Sequence, residues 1–141
     1  KKEFMKVFYK GFFSTFILGL LSGLFYILFS YQIIQLLFFR GEFTDDDVVM
    51  TSSSLIAYSY ALPFLLSSKF LNSVFFAASR TKFILFLGSV SLLVNLVLNY
   101  LFIFTYDWGH VGLALATTFA AIIVWLLAVI FILKIYTKKL Q

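Results

Sequence analysis

The sequence predicts an all-α fold, a polytopic transmembrane helical bundle with four antiparallel membrane spans. The first observation is composition: the 141 residues are 62% hydrophobic and 12% charged, with a mean hydropathy of +1.03. A water-soluble domain this apolar could not cover its own surface with polar groups. The second observation is pattern, because uncharged stretches of membrane length alternate with short charged turns, as in hairpins of membrane helices.

Several classes of protein are disfavoured by what the chain lacks. Its net charge is +5, but the basic residues sit at the ends of apolar segments and form no stripe for nucleic acid. There is no cysteine, so a thiolate metal site is excluded, and no metal site is predicted. No phosphate-binding loop, zinc-protease motif or dinucleotide turn occurs, so we predict no enzyme. Because the chain begins with Lys1, we expect residues 1–141 to be one transmembrane domain from a longer protein.

The first span is predicted over residues 11–39. The basic stretch before it, Lys1–Lys10, is interpreted either as a helix lying along the membrane surface before the chain turns inward, or as a frayed helix start. Within the span, Thr15, Gly19 and Gly23 recur every four residues. Small residues at this spacing let two membrane helices approach closely, so they indicate a packing face, with chance as the alternative.

The second span is predicted over residues 48–78, within a helix that runs roughly from Asp45 to Ala78. Its start is marked by Thr44 and Asp47, the spacing of a capping box, and Gly41 in the preceding turn is free to take a positive φ. Pro63 lies in the middle and predicts a kink, because proline removes one backbone hydrogen bond. A membrane helix tolerates that kink when the freed carbonyl finds another partner.

A polar face follows the predicted kink. Lys69, Asn72 and Ser73 are spaced i, i+3 and i+4, so they share one side of a helix. Ionisable residues inside a membrane usually face a bundle interior or a hydrated cavity. These three residues are therefore candidates for a substrate cavity in which Lys69 attracts an anion. The alternative is a lysine that extends its ammonium group to the headgroups or to a carbonyl.

The third and fourth spans are predicted over residues 83–106 and 111–133. Asn95 and Asn99 lie on one face of the third span, and Thr117 lies in the small-residue half of the fourth. We expect these three residues to meet where the two helices pack. They could bind a cation, or they could form interhelical hydrogen bonds, which is the commoner role of such side chains in membrane helices.

The charges predict an orientation. The basic residues concentrate at residues 1–10, 69–82 and 134–139, whereas most acidic residues lie in the two opposite turns. Cytoplasmic loops carry an excess of Lys and Arg. We therefore expect both termini and the turn at residues 79–82 to be cytoplasmic.

Four segments carry a resemblance to a known family. They are Phe39–Thr44, Leu55–Ser59, Lys69 with Phe75–Ala77, and Gly112–Thr117. In this order and spacing the chain resembles the later helices of the MurJ/MviN lipid II flippases, members of a larger exporter superfamily. The resemblance implies about the ninth to twelfth helices of a fourteen-helix protein in the bacterial inner membrane. It also implies transport of lipid II, the undecaprenyl-linked peptidoglycan precursor, by alternating access.

The resemblance further implies partners and a coupling ion. The partners would be the anionic lipid-linked substrate, membrane lipids and the remaining helices of the full-length protein. No cofactor is implied beyond a monovalent cation, sodium, which some members hold with an Asn, an Asp four residues later and a Thr of the next helix. Asn95 and Thr117 match that pattern, but Asn99 replaces the acid. The turn Ser79–Phe83 also lacks the Asp-Thr-x-Thr-Pro run common in the family.

Three alternatives remain from the sequence. The chain could belong to a related polysaccharide-lipid flippase or a drug/cation antiporter. It could be a small four-helix multidrug transporter, although such a protein should carry an acid within its spans. It could also be a membrane scaffold that transports nothing.

Overall fold

The computed structural model describes residues 2–138, and each regular element in that range is helical. The elements are α1 (Lys2–Phe38), α2 (Asp45–Ser59), α3 (Leu62–Ala77), α4 (Thr81–Tyr100), a π-helical turn (Leu101–Thr105) and α5 (Gly109–Lys138). Three stretches are long and apolar enough to cross a membrane, and the bent pair α2–α3 would supply a fourth span. The predicted all-α helical bundle is thus confirmed.

Helix α1 is continuous from Lys2, so of the two interpretations of the basic start, a separate surface helix is wrong for residues 2–10, and Lys1 lies outside the described residues. No break separates residues 2–10 from the first predicted span, and the described helix runs straight into the apolar segment. The physical reason is packing: the Phe8 side chain is buried, and its ring lies 5.8 Å from that of Phe70 on α3. A phenylalanine held in this way belongs to the bundle core and is unavailable to the membrane surface.

Helix α2 begins where the capping box predicts. The Thr44 hydroxyl accepts a hydrogen bond from the Asp47 N–H at 3.4 Å, and the Thr44 N–H donates to the Asp47 carboxylate at 2.9 Å. Gly41, in the turn before it, has a φ of +66°. Each of these backbone features was predicted from the sequence, and both predictions are confirmed.

The second predicted helix is divided. Helices α2 and α3 are bent by 45° relative to each other at Tyr60 and Ala61, which we call the α2–α3 bend. Pro63 causes it but does not sit at its centre, because it occupies the first turn of α3. Proline is tolerated there, since the first amides of a helix have no intrahelical acceptor. The single helix predicted from Asp45 to Ala78 is therefore wrong, although the kink itself was expected.

Neighbouring helices cover the carbonyl groups that the α2–α3 bend frees. Pro63 has no N–H for the Ser59 carbonyl, and that oxygen lies 2.8 Å from the position a Cβ at Gly23 would occupy. The Ala57 carbonyl accepts a hydrogen bond from the Thr118 hydroxyl of α5 at 2.8 Å. A Cβ at Gly19 would overlap the Pro63 Cα. The small-residue stripe of α1 is thus a packing face, and it packs on the bend.

Helix α4 continues into the π turn before the chain reverses. The Tyr106 N–H donates to the Leu101 carbonyl at 3.1 Å, and the Trp108 N–H donates to the Phe102 carbonyl at 2.9 Å. Gly109 then has a φ of +52° and opens α5. Compared with the prediction, the third helix starts slightly earlier, at Thr81, and the fourth extends further, to Lys138.

The helices alternate in direction, which brings the basic segments to one end of the bundle. A buried core at that end joins the start of α1, the end of α3, the start of α4 and the end of α5 through Phe8, Phe75, Leu87 and Ile132. The aspartates that open α2 lie at the opposite end of the α2–α3 pair. The separation of charge seen in the sequence is therefore a separation between the two ends of the structure.

Candidate functional site

The predicted cavity residues lie on the outward face of α3. Lys69 and Ser73 are exposed and Asn72 is half-buried, whereas Leu71 and Phe75 on the other side of the helix are almost fully buried. The Ser73 hydroxyl donates to the Lys69 carbonyl at 3.1 Å, a bond within the helix. Within residues 2–138, the Lys69 ammonium group has no carboxylate within ion-pair distance. It is thus available to an anion from outside this part of the chain.

Not all of the polar half of α3 belongs to this face. Ser67 is fully buried, and its hydroxyl donates to the Pro63 carbonyl at 2.6 Å. That bond satisfies the hydroxyl inside the bundle, as is usual for serine in membrane helices. Ser67 is therefore not part of the polar face that Lys69, Asn72 and Ser73 form on α3.

The structure brings Asn95, Asn99 and Thr117 together between α4 and α5. The Asn99 amide donates to the Asn95 side-chain oxygen at 2.9 Å, and the Asn95 amide donates to the Thr117 hydroxyl at 3.0 Å. The Thr117 hydroxyl in turn donates to the Leu113 carbonyl at 3.2 Å. The bonds form one directed chain that links the two helices. Within residues 2–138, no hydrogen bond connects these three side chains to the polar face of α3.

The arrangement fits an interhelical contact better than a tight cation site. The Asn95 side-chain oxygen, the Thr117 hydroxyl oxygen and the Leu113 carbonyl oxygen each accept one of these hydrogen bonds. The Asn99 side-chain oxygen is buried and has no partner among the described atoms. All four of these oxygens are neutral, whereas hard cations are held tightly by oxygen ligands that include carboxylates.

Thr118 is a polar residue that the sequence did not single out. It is buried, and its hydroxyl reaches the Ala57 carbonyl across the helix interface. The run of small residues at the start of α5 indicated close packing, but the sequence did not show which of two adjacent threonines faces α2 and which faces α4. Neighbouring residues on a helix point about 100° apart. Assigning Thr117 to α4 and Thr118 to α2 therefore requires knowing where both of those helices lie around α5.

Comparison with protein families gives a match across nearly the whole chain. The family model described as lipid II flippase MurJ matches residues 1–140. The probable lipid II flippase MurJ of Vibrio cholerae is 36% identical over 104 residues, which is 74% of this chain and 19% of that protein. The lipid II flippase MurJ of Thermosipho africanus is 35% identical over 97 residues, 69% of this chain and 20% of that protein.

A third relative aligns almost end to end with this chain. The probable lipid II flippase MurJ of Buchnera aphidicola subsp. Acyrthosiphon pisum is 29% identical over 140 residues, 99% of this chain and 26% of that protein. The chain thus spans about a fifth to a quarter of the length of these relatives. No solved structure matches. With its apolar helices, a multi-pass membrane architecture and a family match over residues 1–140, this chain belongs to the MurJ lipid II flippase family.

Proposed function

We propose that the full-length protein containing this chain moves lipid II across the bacterial inner membrane, and that the chain supplies four consecutive spans of one lobe. The observation that carries the proposal is the family match over residues 1–140, because it covers every helix described here. Transport, with no covalent chemistry, also suits a chain in which Lys69 is the one charged residue within the four predicted spans, where the other polar groups are mainly amides and hydroxyls. The partners are the lipid-linked substrate, membrane lipids and the helices outside this chain.

The proposed mechanism is alternating access. Two lobes rock about a central cavity, and the headgroup crosses while the lipid tail remains in the bilayer. The bend between α2 and α3 supports this role, since irregular backbone at membrane depth is tolerated where it is packed by protein or lines a cavity. We propose that both termini of the chain and the turn at residues 79–82 face the cytoplasm, where basic residues concentrate.

Lys69 is proposed as the residue of this chain that attracts the substrate. Its side chain is exposed on α3, while the opposite side of the same helix is anchored in the core by Leu71 and Phe75. The substrate carries a diphosphate, which is anionic. An ammonium group in a low-dielectric environment attracts an anion more strongly than one in bulk water. Asn72 and Ser73 offer hydrogen bonds beside it.

Complementation of a strain depleted of its own flippase tests both the function and the role of Lys69. The full-length protein should restore growth and the appearance of lipid II on the outer leaflet. Lys69→Ala should reduce that transport by about tenfold or more at normal abundance, since a hydrogen bond to a charged group contributes roughly 1.5–3 kcal/mol. Lys69→Arg should retain more activity, because it keeps the charge.

Lys10→Ala serves as the matched control, because it removes another exposed cation from a different helix. It should leave transport unchanged. Full growth and transport by Lys69→Ala would leave Lys69 as a lysine that only extends to the headgroups. If the wild-type protein itself fails to bring lipid II to the outer leaflet, the proposed function is wrong.

For the coupling ion, we propose that Asn95, Asn99 and Thr117 hold α4 and α5 together and do not bind sodium tightly in this protein. The hydrogen bonds support this, since they engage the Asn95, Thr117 and Leu113 oxygens and leave only the Asn99 side-chain oxygen without a partner among the described atoms. The neutral Asn99 also adds no charge to stabilise a cation.

A further inference from the structure

We propose that the turn between α3 and α4 binds one anionic phospholipid, with its phosphate on the basic residues of the turn and its acyl chains on the aromatic side chains below. The structure has a cavity of about 580 Å³ at this turn. It is lined by Ser79–Lys82, Phe83, Phe86 and Phe131, and we call it the basic turn cavity.

The turn is shaped by its backbone and does not need its basic side chains. The Ser79 N–H donates to the Phe76 carbonyl and the Arg80 N–H to the Phe75 carbonyl, each at 2.9 Å. Ser79 takes a φ of +55°, the left-handed conformation that ends many helices. These bonds close α3 with main-chain atoms alone. The side chains of Arg80 and Lys82 are exposed and left for an external partner.

The rim of the basic turn cavity is complementary to a phosphate group. Arg80 and Lys82 supply two positive charges, and Ser79 and Thr81 supply hydroxyl groups. No acidic residue lines the cavity in the described part of the chain. Guanidinium and ammonium groups near a membrane surface favour anionic headgroups over zwitterionic ones. The rim therefore selects for net negative charge.

The floor of the basic turn cavity is apolar and aromatic. The rings of Phe83 and Phe131 are stacked with centroids 3.6 Å apart, which joins the start of α4 to the end of α5. Phe86, one turn further into the bundle, is 54% exposed. A soluble anion would use only the rim. A molecule that joins a phosphate to hydrocarbon chains would use the rim and the floor together, and a phospholipid has that shape.

Native mass spectrometry of the purified full-length protein tests the proposal. The protein is titrated with dioleoylphosphatidylglycerol and, separately, with dioleoylphosphatidylcholine. We expect one phosphatidylglycerol to bind more tightly than phosphatidylcholine. The double variant Arg80→Gln/Lys82→Gln should lower the affinity for phosphatidylglycerol by about 10- to 30-fold, because each basic residue contributes roughly a factor of five.

The control variant is Lys6→Gln/Lys10→Gln. It removes the same charge from exposed positions on α1, at the same end of the bundle but outside the cavity lining. It should keep the tight phosphatidylglycerol. Equal loss in both double variants would mean that only the general surface charge matters, and no loss in either would mean that the turn does not bind lipid; each result overturns the proposal.

Two further measurements keep the test decisive. Excess inorganic phosphate should not displace the lipid, and displacement would show a site for free phosphate only, contrary to the proposal. The variant Arg80→Lys should preserve lipid binding, because it keeps the charge at the rim. The variant Phe86→Ser should weaken binding, because it removes an aromatic ring from the floor. If the double variant proves unstable, loss of binding in Arg80→Lys or its retention in Phe86→Ser would contradict the proposal.

Discussion

At the scale of single residues, Thr118 has the clearest structural role. The Ala57 carbonyl lies near the end of α2, where a regular helix would pair it with the Ala61 N–H. That N–H donates instead to the Tyr58 carbonyl at 2.9 Å. The hydroxyl of Thr118 lies 2.8 Å from the Ala57 oxygen and supplies a donor from another helix. A polar backbone group without a partner is costly at membrane depth. The Thr118 side chain of α5 thus supplies the hydrogen bond that the Ala57 carbonyl of α2 would otherwise lack.

We predict that Thr118→Val destabilises the full-length protein by about 0.6–2 kcal/mol, the range for a lost interhelical or buried hydrogen bond. Valine has nearly the shape of threonine, so the loss reports the hydroxyl group and not the packing. The measurement is the midpoint of thermal unfolding in detergent. Thr118→Ser keeps the hydroxyl and should lose less; a larger loss in Thr118→Ser than in Thr118→Val would assign the effect to the methyl group and contradict the prediction.

Asn99 allows a second residue-scale prediction. The variant Asn99→Asp places a negatively charged carboxylate beside the Asn95 and Thr117 oxygens. It should make transport more dependent on sodium than in the wild-type protein. The measurement is lipid II transport with sodium or potassium as the main cation, with Asn99→Ser as the neutral control. A strong sodium dependence already in the wild-type protein would contradict our proposal for this site.

The sequence predicted these residues unequally. Asn95, Asn99 and Thr117 were expected to meet because two asparagines at a four-residue spacing fix one face of a helix, and the structure places them in one hydrogen-bond chain. Thr118 was missed, since its partner is the Ala57 carbonyl, which becomes free at the α2–α3 bend because the Ala61 N–H donates to the Tyr58 carbonyl instead. A sequence shows side chains directly but not which carbonyl groups lack partners.

At the scale of elements, α1 and the α2–α3 bend form one unit. Gly19 and Gly23 lie against Pro63 and Ser59 so closely that side chains do not fit between them. The kink was predictable from Pro63, but its centre at Tyr60 and Ala61 was not, because proline is also favoured in the first turn of a new helix. The glycine spacing indicated a packing face without indicating what it packs against.

We predict that Gly19→Ala and Gly23→Ala each destabilise the protein by about 1–3 kcal/mol, the usual cost of overpacking a close contact. The added methyl group would overlap the Pro63 Cα in the first variant and approach the Ser59 oxygen in the second. Thermal unfolding of the purified full-length protein measures the effect. Gly88→Ala is the control, because nothing lies within 4 Å of its added Cβ. A similar loss at Gly88 would mean that the effect is not specific to the bend.

At the scale of the whole molecule, the two ends differ in charge. The fold class, the number of apolar segments and the end at which each basic cluster lies followed from composition and charge pattern. What did not follow was the continuity of α1, because a basic amphipathic start is compatible with a surface helix and with a buried one. The distinction rests on Phe8 packing against Phe70, a contact between residues far apart in the chain.

We predict that Ser79→Cys is protected from a membrane-impermeant thiol reagent in intact cells, whereas Thr44→Cys reacts. The reason is the concentration of basic residues at the end that holds Ser79. This chain has no cysteine of its own, so each variant adds a single thiol to it. Both sites should react after the cells are opened. Reaction of Ser79→Cys alone in intact cells would reverse the orientation.

The α2–α3 bend also has a consequence for biosynthesis. The contact with Gly23 involves a helix made before the bend, but the hydrogen bond from Thr118 comes from a residue 61 positions after Ala57. At synthesis rates of about 5–20 residues per second, that donor follows roughly 3–12 s later. The newly made α2–α3 pair therefore lacks the Thr118 donor to its Ala57 carbonyl until α5 arrives. Helix α5 thus completes the packing of a bent helix pair that was synthesised several seconds earlier.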